Sequence, residues 1–209
     1  MILSRPFCFR WRLATERIAG RLPNVMKIYL DNVIVCGQIR TDLEPAEMAA
    51  VQQLGSQPFK DRLLILTSRE SWREQDRTND AAVRAMLRQH RDGVPVVERD
   101  HSVLGFSQSH DHLGGFIASP LVTDIVDDSL FTALKAEGLQ DADARHLMYA
   151  VCNGCDRFVT LDPDFLNRRH VLAAQCQGLR VAKPSELVAE LSLGAKDNWG
   201  TTRDISSRN

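Results

Sequence analysis

Hydrophobic positions in this chain fall into short continuous runs, separated by stretches in which apolar residues recur every three or four positions. Runs of that length predict strands buried on both faces, whereas the three-to-four spacing predicts amphipathic helices. The first strand is expected at Ile28-Tyr29-Leu30, continued past Asp31 by Val33-Ile34-Val35, and a second at Leu63-Leu64-Ile65-Leu66. Residues 157–161 and 178–182 predict two more, and residues 93–97 a short one that Pro95 places at an edge. Helices are predicted over 42–54, with Pro45 in the first turn, and over 68–90, where Ser68 is positioned to cap. Others follow over 124–138, from Asp141 to the Asn153-Gly154 stop, over 167–177, and over 184–193 behind Pro184. In the helix that begins near Asp141, Ala144, Leu147, Met148, Ala150 and Val151 share one face, and Asp141 is expected to cap it. Residues 98–123 fit neither pattern; they are too long for a plain connection and are expected to flank the active face or form a partner surface.

Alternation of strands with helices implies α/β architecture, a parallel sheet covered by helices. At 209 residues, 44% hydrophobic and 25% charged, the chain can bury a sizeable core in one domain, assigned to residues 26–193. No apolar run approaches the ~20 residues that a membrane span requires, so no membrane association is expected. Five cysteines with no secretory leader suggest reduced thiols and a cytoplasmic location. Residues 1–25 carry Arg5, Arg10, Arg12, Arg17 and Arg21 against Glu16; they read as a basic extension or as a mis-called start ahead of Met26. The polar stretch 194–209 reads as a disordered tail. A net charge of −1 argues against a strongly basic, sequence-independent nucleic-acid binder, yet leaves room for metal ions to supply positive charge.

Acidic residues recur where such a fold places its ligands, just past the C-terminal ends of strands. Asp31 ends the first strand, Glu70 or Glu74 lies on the helix after the second, and Asp143 heads a helix. Asp162 and Asp164 end the strand that follows that helix. Taken alone, Asp31 is as well explained as a helix cap, and either glutamate as half of a surface ion pair. Four carboxylates in one crevice would repel one another unless cations neutralised them, and oxygen-only ligation points to Mg²⁺ or Mn²⁺. Such ions promote phosphodiester cleavage by activating water and stabilising the leaving oxygen. Arg73 and Arg77, on the helix after the second strand, are the first candidates for phosphate contact, although a solvated face of ion pairs explains them equally well.

Four segments carry a family resemblance: Ile28 to Ile34 around Asp31, Ser68 with Glu74 six residues on, Asp143-Ala144-Arg145-His146-Leu147, and Phe158 to Phe165 around Thr160 and Asp162. In order and spacing they resemble the motif regions of the PIN-domain ribonucleases over about residues 27–191. The resemblance implies a three-layer α/β/α sandwich with a central, mostly parallel sheet and a Mg²⁺- or Mn²⁺-dependent endoribonuclease site. Carried over by position, it makes Asp31, Glu74, Asp143 and Asp162 the four acids. Asp31, Asp143 and Asp162 would hold metal, Glu74 would complete or orient the cluster, and Thr160 would support it with a hydroxyl. Asp164 and Glu70 are reserve ligands, and His146 a substrate contact or a core residue. Many prokaryotic members are toxins, so RNA, an antitoxin protein and a second copy of the chain are the expected partners. Between the second and third acids this chain is longer than the compact toxins.

Two other functions are compatible with these residues. One is a catalytically silent RNA- or protein-binding module of the same fold. The other is a metal hydrolase centred on His110-Asp111-His112, where two imidazoles flank an acid. Cys152-Asn153-Gly154-Cys155 has half the spacing of a zinc site, but no second pair lies at finger spacing, and both thiols read as helix-end packing.

Overall fold

The computed structural model describes residues 25–57, 59–110 and 116–197. Its first half runs β1 (Met26–Leu30), α1 (Asn32–Arg40), α2 (Pro45–Leu54), β2 (Leu63–Leu66), α3 (Arg69–Asp76) and α4 (Ala81–Arg91). A hairpin of β3 (Ser102–His110) and β4 (Phe116–Thr123) follows, then α5 (Asp128–Ala136) and α6 (Asp141–Cys152). The chain continues through β5 (Arg157–Val159), α7 (Pro163–Asn167), α8 (Arg169–Gln175), β6 (Arg180–Ala182) and α9 (Pro184–Asp197).

Four strands form one parallel sheet in the order β2-β1-β5-β6, flanked by helices in a three-layer α/β/α sandwich. Strand parity explains the layers, because successive side chains point to opposite faces. Ile28, Leu30, Leu63, Ile65 and Val159 point to one side, where they pack with Ile34, Val51, Leu87 and Leu187 from α1, α2, α4 and α9. Tyr29, Leu66, Phe158 and Val181 point to the other, against Leu134, Leu147, Met148 and Leu172 from α5, α6 and α8. Leu147 and Leu172 are wholly buried, so truncating either to Ala would cost about 2–5 kcal/mol. Buried Glu47 ties two helices on the first side, its carboxylate accepting from the Ser185 backbone N at 3.0 Å and from Ser185 Oγ at 2.7 Å.

Several boundaries differ from the expected ones, each for a local reason. Val33-Ile34-Val35 belong to α1, since the chain leaves the sheet at Asp31; the apolar run reflects burial of Ile34 and Val35 under the sheet. The next helix begins at Pro45 rather than at residue 42. The long helix expected over 68–90 is two, because Asp80 takes the backbone N–H groups of Ala82 and Val83 and starts α4 afresh. Gln140, not Asp141, occupies the N-cap of α6, and Asp141 instead pairs with Lys135. The helix expected over 167–177 is the shorter α8, preceded by α7, a short helix that was not expected, and α9 runs on to Asp197, past the residue 194 at which a tail was expected. Residues 93–97 make a single parallel bridge, Thr67 to Val96, at the edge beyond β2. The uninterpreted stretch 98–123 is largely the β3–β4 hairpin, a separate two-stranded sheet with a register shift between Val103 and Gly105.

Residues 1–24 and 198–209, Asp111 and His112 lie outside the described residues, as does the His110 side chain, so the His110-Asp111-His112 reading falls there. Among the described residues no helix is long and apolar enough to cross a membrane. Cys36, Cys152, Cys155 and Cys176 are free thiols. Burial pushes the Cys155 thiol up to about 12, in keeping with a packing role at the end of α6.

Candidate carboxylate site at the sheet switch point

Strand β1 has β2 on one side and β5 on the other, so the chain reverses its direction of travel across the sheet at β1. Crevices at the carboxyl ends of strands at such a point are where open α/β sheets bind ligands. Asp31 is the first residue past β1, and its backbone N donates to Val159 O at 3.0 Å, which locks it to the end of β5. It takes the N-cap position of α1, yet its side chain makes no capping hydrogen bond. Its Oδ2 accepts instead from the Thr160 hydroxyl. Thr160 is fully buried, its N donates to Ala182 O at 3.0 Å, and its Oγ1 also accepts from Asp162 N at 2.9 Å. One hydroxyl thus fixes both Asp31 and the backbone of Asp162.

Glu74 comes from α3, Asp143 from the first turn of α6, and Asp162 from the N-cap of α7, where its Oδ1 accepts from Asp164 N at 2.7 Å. All four acids line one open cavity of about 560 Å³, together with His146. His146 is one turn beyond Asp143 and buried. Its Nδ1 lies 2.7 Å from the Tyr29 hydroxyl, which is 2.6 Å from Ser68 Oγ, the cap of α3. On the far side of the ring, Nε2 stands 3.2 Å from Glu74 Oε1, close enough for an ion pair but without hydrogen-bond alignment. The Ser68–Tyr29–His146 chain can be satisfied with the imidazole neutral or protonated, because both hydroxyls rotate.

The electrostatics follow from burial that is only partly neutralised. Burial pushes the Asp31 carboxyl up to about 6; the His146 charge and the Thr160 hydrogen bond pull it down, and Glu74 adds to the rise. Asp143 is raised in the same way, by burial and then by the negative charges of Asp162 and Glu74. Burial opposes the charge on His146, but the closeness of Glu74 and the negative charges of Asp31 and Glu70 outweigh that and raise it. The acids therefore destabilise one another's ionised forms, the condition under which a bound cation contributes most. Among the described residues no three His, Cys, Asp or Glu side chains converge closely enough to form a ready-made metal cage. Mg²⁺ does not need one, since it is held through one or two carboxylates with water completing its shell. A cavity to which four carboxylates contribute, with a buried, incompletely compensated Asp31, fits such an ion, with Asp31, Asp143 and Asp162 as the residues that would hold it.

Some expected site residues lie elsewhere. Glu70 and Glu74 do not share a destination: Glu70 is buried against Arg73 Nη1 at 2.9 Å and lines a second cleft of about 650 Å³ with Asp100, Asp124 and Tyr149. Arg73 is drawn there too, by Glu70 and by Asp124 at 3.0 Å, so it does not line the acid cavity. Asp164 is exposed and pairs with Arg168 at 3.3 Å, leaving Asp162 as the acid of that pair that faces inward. Arg77 does line the acid cavity, as does Arg40, which the sequence pattern did not single out. Tyr29 was also missed as part of the site. Its only signal was strand parity, which puts it opposite Ile28 and Leu30 and so on the side of α6.

Comparison of the chain with protein-family models, with curated proteins and with solved structures gives no match.

Proposed function

We propose that this chain is a Mg²⁺- or Mn²⁺-dependent endoribonuclease that hydrolyses RNA phosphodiester bonds at the Asp31–Glu74–Asp143–Asp162 crevice. One observation carries the reading: four acids from four separate elements line one cavity at the switch point, around a buried Asp31 that no arginine or lysine among the described residues pairs with. When bound, the metal supplies an activated water and stabilisation of the leaving oxygen. The chain's own residues do the positioning. Asp31, Asp143 and Asp162 present oxygen ligands, and Thr160 holds Asp31 through Oδ2. His146, braced by Tyr29, faces Glu74 and fixes where that carboxylate can stand. The PIN-like motif order supports the same reading, and with it come the further proposals of an antitoxin protein and a second copy of the chain as partners, in the cytoplasm.

The test is cleavage of a structured and an unstructured RNA with Mg²⁺, Mn²⁺ or EDTA, beside calorimetry with Mn²⁺. Cleavage that needs the metal and is lost in Asp31→Asn and Asp143→Asn is expected, and activity that persists in both variants would sink the assignment. A second reading, a silent binding module of this fold, is favoured by the absence of a preformed three-ligand cluster among the described residues. It predicts RNA binding with no Mn²⁺ binding and no turnover.

A further inference from the structure

The acid cavity also carries positive charge. Besides the carboxylates, its lining includes Arg40, in the last turn of α1, and Arg77, the C-cap residue of α3. Among the described residues these are the two arginines whose guanidiniums make neither an ion pair nor a hydrogen bond. Every other described arginine is committed, for example Arg73 to Glu70, Arg88 to Asp76, Arg145 to Asp124 and Arg84 to Thr78 O. Asp42 also lines this cavity but pairs with neither. A cation at a helix C-terminus favours the helix dipole, and that accounts for a positive charge at each position. It does not account for two helix ends bringing their uncommitted guanidiniums to one cavity.

The two carriers are held together. Gln75 Nε2 donates to Asn32 Oδ1 at 2.9 Å, joining α3 to the start of α1, and Arg91 Nε donates to Gln75 Oε1 at 2.9 Å, fixing that amide from α4. The groove runs along α1 from Asp31 through Gly37 to Arg40. With a rise of 1.5 Å per residue, Arg40 lies about 12 Å along the helix axis from its acidic end. At the 3.4 Å rise of a stacked nucleotide, that is roughly three to four steps, and fewer in an extended strand. A guanidinium so placed reaches a phosphate beyond the one that sits at the acids.

We propose that Arg40 and Arg77 form an anion subsite that takes a flanking backbone phosphate of the RNA, so that the crevice is built for an oligonucleotide and not for a dinucleotide. This rests on the nuclease reading for the identity of its ligand. The experiment uses the full chain bearing Asp143→Asn, in millimolar Mg²⁺, and follows fluorescence anisotropy of a labelled uridine oligonucleotide long enough to span the groove. Arg40→Ala/Arg77→Ala is expected to weaken binding about ten-fold or more and to lower the slope of log K against log salt by about 0.7 to 1.4, about 0.7 for each phosphate of the single strand that loses its cation. Arg40→Lys should recover most of the slope. Arg88→Ala, which removes another exposed charge, on α4, should stay within about two-fold. In the wild-type background, the preference in kcat/KM for the long substrate over a uridine dinucleotide should collapse in the double variant.

The subsite is overturned if the double variant binds like its parent, if Arg88→Ala loses as much, or if the oligonucleotide does not bind at all. Binding that depends on Arg40 and Arg77 without metal-dependent cleavage by the wild type would uphold the subsite and remove the nuclease. Cleavage untouched by the double substitution would do the reverse.

Discussion

Two clefts of similar size flank α3, and both contain deeply buried carboxylates. In the cleft toward the hairpin these are Glu70, 4% exposed, and Asp100, 6% exposed; in the crevice at the sheet edge it is Asp31, 5% exposed. Their surroundings differ. Glu70 faces Arg73 and, at 4.0 Å, Arg145, while Asp100 faces Arg69 at 3.4 Å and His101 at 2.7 Å. Asp124 closes that network by pairing with both Arg73 and Arg145. Asp31 has a hydroxyl, the partial offset of the His146 charge and other acids, and among the described residues it pairs with no arginine or lysine. A buried acid whose counter-charge is built in acts as a structural joint. One whose counter-charge is incomplete presents a demand that a cation from solution would meet. Burial alone does not separate the two cases; the partner does.

The largest expected effect breaks the crevice side of this comparison. Asp143→Asn should lower metal-dependent RNA cleavage by about 10³-fold, on the scale of losing a main electrostatic element of an active site. Next is a stability effect of unusual sign at Asp31. Its carboxyl, ordinarily 3.8, is pushed up to about 6, so the folded chain holds that proton more tightly than the unfolded chain. The metal-free protein should therefore lose stability as pH rises from about 4 to about 6, by up to about 3 kcal/mol from this group. Asp31→Asn should remove that loss and raise Tm at neutral pH, and millimolar Mg²⁺ should do the same for the wild type. Differential scanning across pH checks both, and a metal-free Tm that rises over this range in the wild type but not in Asp31→Asn would contradict the assignment.

The other cleft should answer in the opposite direction. Arg73→Ala leaves buried Glu70 with only the 4.0 Å contact to Arg145 and should destabilise the fold by about 2 kcal/mol, less than for a fully buried pair because Arg73 itself is half exposed. Thr160→Val, nearly isosteric, should cost about 1–2 kcal/mol at neutral pH through loss of the donor to Asp31. Smallest of all, Arg40→Ala should change stability by less than about 0.5 kcal/mol in urea titration, since its guanidinium supports nothing within the described residues.

The sheet and most helices were legible because their signals are short-range and redundant. Ile28-Tyr29-Leu30 and Leu63 to Leu66 are continuous apolar runs, and Pro45, Ser68, Pro184 and Gly154 punctuate them; Gly154 adopts φ 65°, the left-handed turn expected where α6 stops. The hairpin was illegible for the opposite reason. Leu104 and Phe106 are 72% and 67% exposed, so its apolar residues do not report an inside and an outside. The break between α3 and α4 was written in the chain as Asp80, a good cap, but the arginine periodicity running through it masked the stop. At the site, strand-end position singled out Asp31 and Asp162, because the end of a buried parallel strand is a location that sequence can specify.

What sequence could not decide was the choice within each pair. Glu70 against Glu74, Asp162 against Asp164 and Arg73 against Arg77 are the same residue types within a helical turn of each other, and local pattern treats them alike. Tertiary structure separates them through the charges that other elements bring: Asp124 and Arg145 draw Glu70 and Arg73 into one cleft, while Arg168 holds Asp164 outside. It also recruits Arg40, whose position in α1 carries no local signal. By itself the sequence determined the α/β sandwich and the strand ends on which the acids sit, since both follow from burial and backbone geometry over a few residues. Which charges meet, and which are left without partners, depends on residues far apart in the chain, and only the folded arrangement decides that.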